Sequence, residues 1–337
     1  MNFSYFLGAN SARGFFSLYD GFCRSEGDYL SVIKGGPGTG KSGFMRRIGR
    51  EAERKGLDAE YVICSGDINS LDGVYIPALH RGWTDGTSPH VSDPGSFGVD
   101  GDYVNLGSFC RTPLSDAKRQ SAELLFDKYR GHYERAYRFL NSAAAFENAF
   151  SDEYSGKNIT SLVNALYELI TSKANGVLSG KIQKRFLRCI SGKGEAVLHD
   201  ELSKLCREVY IINHPGFDSA VLAGLTHEIS RAGLPAIVCP SPVEPEKHDA
   251  VLLPQFGVGF AGSIFKTDGG HIIDIPFEIA SHTDKSKDKQ LALAISELQK
   301  AKAVHDELED IFKAETDFSA LTEFTEKYIE GVFQDLN

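Results

Sequence analysis

Eight consecutive residues, Gly35-Gly36-Pro37-Gly38-Thr39-Gly40-Lys41-Ser42, carry the spacing G-x-x-x-x-G-K-[ST]. Such a run suits one kind of chemistry, the cradling of a polyphosphate. Its glycines let the backbone fold back so that successive N–H groups face one concave site. A helix starting at the loop adds partial positive charge there. In that arrangement the backbone from Gly35 to Gly43 holds the phosphates, Lys41 reaches the β- and γ-phosphates, and the Ser42 hydroxyl ligates Mg²⁺. The implied ligand is Mg²⁺·ATP. The plain alternative is a Gly-rich turn into a helix.

Two acids follow at spacings that matter. Asp67 comes just after an apolar run, Ala59 to Cys64, that reads as a strand. In open α/β sheets ligands sit beyond the carboxyl ends of strands, which would place Asp67 on the γ-phosphate side, orienting or deprotonating a nucleophile. Its plain reading is the cap of the turn Asp67-Ile68-Asn69-Ser70. A third strand ending at Asp85 would supply the carboxylate that holds Mg²⁺ through its water shell. An ordinary Asp85-Gly86 turn competes with that reading. No Glu follows Asp85, and no N-K-x-D occurs, which argues against a motor-type ATPase and a guanine-specific GTPase.

Strand, loop and helix must position these residues. Tyr29 to Ile33 is rich in β-branched and apolar residues and reads as a buried strand. Phe44, Ile48 and Ala52 recur every four residues after the loop, so a helix with one apolar stripe is expected, with Gly56 as its left-handed C-cap. Upstream, Ala12 to Cys23 suggests a helix capped by Ser11, with Arg13 in its first turn and Phe15, Phe16, Tyr19 and Phe22 inward. Residues 87–113 are Gly/Pro/Ser-rich, hold His90, Asp93 and Asp100, and read as a long loop over the site. From Ser115 to Phe150 a helical period returns, with Gly131 as a possible break. A second helix runs from Asn158 or Thr160 to Ile170, completing a helical hairpin.

The chain has 337 residues, 42% hydrophobic and 24% charged, enough for two cored domains. A net charge of −10 disfavours a nucleic-acid partner. The six cysteines form no C-x-x-C pair, as expected of reduced thiols in a cytoplasmic protein. No signal peptide and no membrane span are evident.

The second half copies the first. Phe6-Leu7…Ser11…Gly14 aligns with Phe186-Leu187…Ser191…Gly194, an offset of 180. Gly56-Leu57 meets Gly233-Leu234 and Ile76-Pro77 meets Leu253-Pro254, both at 177. Asn158 to Leu162 meets Asp317 to Leu321 at 159. On this alignment Lys41 faces Asp218, Gly40 faces Phe217 and Asp85 faces Gly262, so the second copy should keep the fold and lack the phosphate site. It would pack on the first copy or offer it a cation such as Lys193.

With the loop, Cys64-Ser65-x-Asp67…Ser70-Leu71-Asp72-Gly73…Ile76-Pro77 and Asp85-Gly86-Thr87…Pro89-His90 in hand, the chain resembles duplicated P-loop proteins of Firmicutes-type bacteria, labelled ATPase or nucleotide-kinase-like. Members often keep the loop in both halves; here the second is lost. The resemblance implies tandem P-loop NTPase-like α/β units with a mostly parallel sheet, each followed by a helical hairpin, divided as 1–177 and 178–337. The activity expected is ATP hydrolysis coupled to a change in packing between the halves. A nucleotide or small-molecule kinase and a non-catalytic, nucleotide-gated binding module with a protein partner are the alternatives.

Overall fold

The computed structural model describes residues 2–88, 93–148, 159–173, 179–273 and 285–334. The first half runs β1 (Phe3–Tyr5), β2 (Gly8–Ser11), β3 (Gly14–Ser17), β4 (Tyr29–Lys34), α1 (Lys41–Arg54), β5 (Glu60–Ile63), β6 (Leu71–Ile76), β7 (Arg81–Asp85) and β8 (Gly101–Asn105). It closes with helices α2 (Asp116–Asn148) and α3 (Ile159–Ser172). The second half repeats this order: β9 (Ile182–Lys184), β10 (Arg188–Ser191), β11 (Gly194–Val197), a short α4 (Asp200–Leu205), β12 (Glu208–Ile212), α5 (Phe217–Arg231), β13 (Ala236–Pro240), β14 (His248–Leu253), β15 (Val258–Gly262), β16 (His271–Ile273), α6 (Lys285–Lys313) and α7 (Phe318–Val332).

Each half builds one six-stranded sheet, in the orders β1-β5-β6-β7-β4-β8 and β9-β13-β14-β15-β12-β16. Strand for strand the two orders correspond. The repeat also holds in backbone detail. Gly14 and Gly194 close their hairpins at φ 100° and 102°, and Gly56 and Gly233 follow their helices at φ 78° and 68°.

The sheets are mixed rather than mostly parallel, which corrects the expectation. β4 pairs parallel with both β7 and β8, but β5–β6 and β6–β7 are antiparallel. The turns joining β5, β6 and β7 are too short for the crossover that a parallel neighbour needs.

Three local expectations also change. The helix expected from Ala12 to Cys23 is the β2–β3 hairpin instead. There the Ser11 hydroxyl donates to the Gly14 carbonyl at 2.7 Å and accepts from the Arg13 amide at 3.1 Å. That side-chain turn, with left-handed Gly14, overrides the aromatic spacing. Gly131 leaves α2 unbroken. Residues 87–113 contain β8, a polar edge strand with little alternation to betray it; His90 lies outside the described residues.

The chain divides into two compact units that differ from the expected halves. Unit 1 holds residues 1–4, 19–136 and 295–337; unit 2 holds 5–18 and 137–294. The cause is an exchange of helices. α7, from the second half, covers the first sheet: Leu321 and Phe333 join Phe44, Ile48 and Trp83 in one core. Phe44 lies 5.1 Å from the Tyr328 ring, and the Trp83 indole donates to the Tyr328 hydroxyl at 2.9 Å. In return α3, from the first half, packs Val163, Leu166 and Ile170 against Val221, Leu222 and Leu225 of α5. Gly224 permits that approach, since a Cβ there would meet Val163 at 2.9 Å. Among the described residues no helix is long and apolar enough to cross a membrane.

Within unit 1, α2 and α6 are joined by an ion cluster. Glu297 accepts from Arg135 and Lys300 at 2.7 and 2.6 Å and lies 2.8 Å from His132 Nδ1. Burial alone would raise its carboxyl, but those donors outweigh it and hold it down to about 2. A depressed acid stabilises the fold above its unfolded value and loses that contribution as pH falls through the folded one. Melting temperature should therefore drop between about pH 4.5 and 2 more steeply in the wild type than in Glu297→Gln, which would be less stable at neutral pH.

Candidate functional site

β4 and its parallel neighbour β7 bring the candidate residues together at their carboxyl ends. Ile33 sits opposite Asp85, and the Gly86 amide donates to the Ile33 carbonyl at 2.9 Å. The loop from Gly35 then leads directly into α1, whose buried stripe of Phe44, Ile48 and Ala52 fixes the helix on the sheet. Gly38 and Gly40 stand at φ 69° and 88°, a region that favours glycine.

Lys41 is folded over its own loop. Its ammonium donates to the Gly35 and Gly36 carbonyls at 2.9 and 2.8 Å and lies 3.7 Å from Asp85 Oδ2. Both side chains are nearly buried, at 11% and 13% exposure, so the pair attracts more strongly than a surface pair would. Asp85 divides its oxygens: Oδ1 accepts from the Thr87 amide and hydroxyl at 2.8 and 2.6 Å, while Oδ2 faces Lys41. The turn reading and the site reading of Asp85 are thus compatible. Ser42 Oγ accepts from the Leu71 amide at 2.9 Å, and the Thr39 hydroxyl donates to the Gly36 carbonyl at 2.8 Å. Pro37 lies within the loop, and Gly43 follows in the first turn of α1.

Sequence reasoning missed the elements that cover this loop. A Cβ on Gly36 would meet the Phe312 ring at 3.1 Å, one on Gly38 the Glu309 carbonyl at 2.8 Å, and one on Gly40 Leu321 at 2.9 Å. Gly38→Ala therefore combines a left-handed φ with a clash against α6 backbone. A loss of about 1–3 kcal/mol is expected, read as a lower melting temperature. The same helix aims Lys302, His305 and Glu309 along one face. Burial holds the His305 imidazole below its usual value, and Lys302 and Lys41 push the same way against Glu309. Nothing in the sequence near the loop signals these residues, which arrive from the far end of the repeat.

Asp67 lies at the same end of the sheet, beyond β5, and its carboxylate is engaged there. Oδ1 accepts from the Asn69 amide at 3.1 Å, and Lys302 lies 3.3 Å from Oδ2. The capping role is the one its contacts express.

A further acid stands in the Ser70-Leu71-Asp72-Gly73 stretch that carries the resemblance. Asp72, 4% exposed, accepts from the Tyr19 hydroxyl at 3.0 Å. Burial, then the charges of Asp72, Cys64 and Asp85, push the Tyr19 phenol well above its usual value, so it stays a donor.

Four arginines are engaged with other side chains. Arg13 pairs with Glu246 at 2.6 Å within unit 2, and Arg47 with Glu326 at 3.1 Å. Arg81 stacks over Tyr29 and Trp83, and Arg111 lies 4.0 Å from Glu315.

The second copy has rebuilt its cradle. Leu57 N bonds Ala52 O, and Leu234 N bonds Ile229 O, which holds α1 and α5 in the register that sets Asp218 at the place of Lys41. Asp218 Oδ2 accepts from the Ser263 amide and hydroxyl, both at 2.9 Å. Burial raises its carboxyl, against the pull of those donors. A Cβ at Gly262 would meet this carboxylate at 2.7 Å, so the acid fills the space facing the strand end.

No protein-family model, no curated protein and no solved structure matches the chain.

Proposed function

We propose that the chain binds Mg²⁺·ATP on the Gly35–Gly43 loop and acts on its γ-phosphate. The observation that carries this is the position of Lys41: first residue of a helix, folded on a glycine loop, 3.7 Å from a carboxylate at the end of the adjacent parallel strand. The donor set fits the ligand. Gly38 and Gly40 permit close backbone approach, the α1 N-terminus favours an anion, and Lys41 releases two carbonyls to meet the phosphates. Ser42 keeps a second lone pair for Mg²⁺, and Asp85 Oδ2 stands beside it as a partner for the metal's waters. Mg²⁺ there would neutralise charge on the transferring phosphoryl group.

Hydrolysis coupled to a rearrangement between the two copies is the leading reading. Its support is α6, one continuous helix that covers the loop with its C-terminal turns and contributes its first residues to unit 2. A kinase is the second reading, favoured by one observation. A groove of about 630 Å³ begins beside Leu71, whose amide holds Ser42, and is lined by Arg46, Arg50, Tyr61 and Ser70 together with Glu53, which accepts from the Tyr61 hydroxyl. Among the described residues neither arginine makes an ion pair, so the groove suits an acceptor that carries an anion. Calorimetry with Mg²⁺·ATP tests the shared claim, and absence of binding refutes it. Phosphate release without any acceptor supports hydrolysis; consumption of ATP only with a phosphorylated acceptor supports the kinase.

A further inference from the structure

Asp72 and Asp249 occupy the same irregular position in the two sheets. Pairing of β6 with β5 slips between Gly73 and Leu71, which leaves Asp72 as the extra residue. Pairing of β14 with β13 slips between Ala250 and His248, which leaves Asp249. Bulges of this kind re-aim a side chain and recur beside active sites. On the other flank each strand is regular. The β6–β7 ladder ends at Gly73–Thr84 and the β14–β15 ladder at Ala250–Ala261, so Asp72 and Asp249 each stand next beyond the last pair, and the Thr84 hydroxyl donates to the Asp72 carbonyl at 3.1 Å.

The surroundings agree. The Tyr19 hydroxyl that bonds Asp72 also feels the charge of Asp85. In unit 2 Asp218, at the place of Lys41, feels the charge of Asp249. Helix start, bulged acid and strand end therefore converge in both copies. Their use differs. Asp249 is gripped by Arg188 through two bonds of 2.8 and 3.0 Å, in the copy whose cradle is filled. Asp72 accepts from the Tyr19 hydroxyl at 3.0 Å, in the copy that keeps the Lys41–Asp85 pair.

We propose that Asp72 is the proton acceptor of the phosphoryl-transfer step, and that Asp67 is not. This rests on the triphosphate reading of the loop. The nucleophile's oxygen, from water or an acceptor hydroxyl, forms a bond to the γ-phosphorus. The bond from that phosphorus to the β,γ-bridging oxygen breaks, and its electron pair leaves on the diphosphate. The nucleophile's proton passes to the Asp72 carboxylate, whose orientation the Tyr19 hydroxyl fixes.

The test uses the full chain. Asp72→Asn should bind Mg²⁺·ATP within about threefold of wild type by calorimetry, while kcat falls at least about a hundredfold and the acidic limb of the kcat–pH profile disappears. Asp67→Asn should leave kcat within about threefold. Should the Asn variant fail to fold, Asp72→Glu serves instead; it should keep the acidic limb at reduced kcat. Turnover within threefold of wild type in Asp72→Asn, or a wild-type profile with no acidic limb, overturns the assignment alone. Absence of ATP binding by the wild type sinks the triphosphate reading and this inference with it. Binding without any turnover leaves that reading standing and overturns the inference.

Discussion

A chain divided between residues 177 and 178 is expected to give two fragments that do not fold on their own, although the internal repeat marks that point as the natural boundary. The amino-terminal fragment would lack α7. Leu321 and Phe333 are buried in the core around Trp83, and Phe324, Tyr328 and Ile329 pack against it. Burying each large apolar side chain contributes about 1.5–3 kcal/mol, so losing this group approaches the whole net stability of a domain, about 5–15 kcal/mol. The carboxy-terminal fragment would lack α3, and with it Val163, Leu166 and Ile170 from its own core. Trp83 is the single tryptophan and fully buried, so its emission reports the outcome. The isolated first fragment should show the red-shifted emission of a wet indole, and coexpression of both fragments should restore the blue-shifted one. Independent, cooperative unfolding of residues 1–177 would show that the helix exchange is dispensable.

The second large effect concerns Lys41. Lys41→Ala should weaken Mg²⁺·ATP binding by at least about thirtyfold, since removing one partner of a desolvated charge contact costs about 2–5 kcal/mol. Stability should change far less. When the ammonium is lost, Gly36 O keeps the Thr39 hydroxyl as a donor and Asp85 keeps the Thr87 amide and hydroxyl. Lys41→Arg should recover little, because a planar guanidinium does not reproduce a compact ammonium. Calorimetry and a melting curve on the same preparations separate the effects. Affinity unchanged by the alanine would leave the loop as a plain turn. A melting point that collapses together with affinity would mean that Lys41 acts as a structural clamp.

The sequence made some features plain because they depend on local spacing. The strand before the loop, α1 with its four-residue stripe, Gly56 after it, the strand ending at Asp85 and the order of the repeat all have near-neighbour causes. Sheet direction did not follow, because a mixed sheet depends on how short the turns around Asp67 and Pro77 are, and an apolar run reads the same in either direction. The Ala12–Cys23 segment misled because aromatic residues fit both a helix stripe and a hairpin, and one hydroxyl at Ser11 decided between them. At the site, Lys41, Ser42 and Asp85 were legible from motif and strand end. Asp72 was visible as part of the resemblance motif, but its bulged position was not, since only a slip in strand pairing reveals it. The α6 residues were not either, since they reach the loop through tertiary packing alone.

The exchange of α3 and α7 bears on how the protein is made. A ribosome delivers β4, the glycine loop and α1 early, yet the hydrophobic floor beneath them stays uncovered until residues 318–332 emerge. The Gly35–Ser42 loop is thus left without its cover until Phe312 and Leu321 have followed. During synthesis the nascent amino-terminal sheet exposes an apolar face until α7 arrives, and such a face is prone to associate.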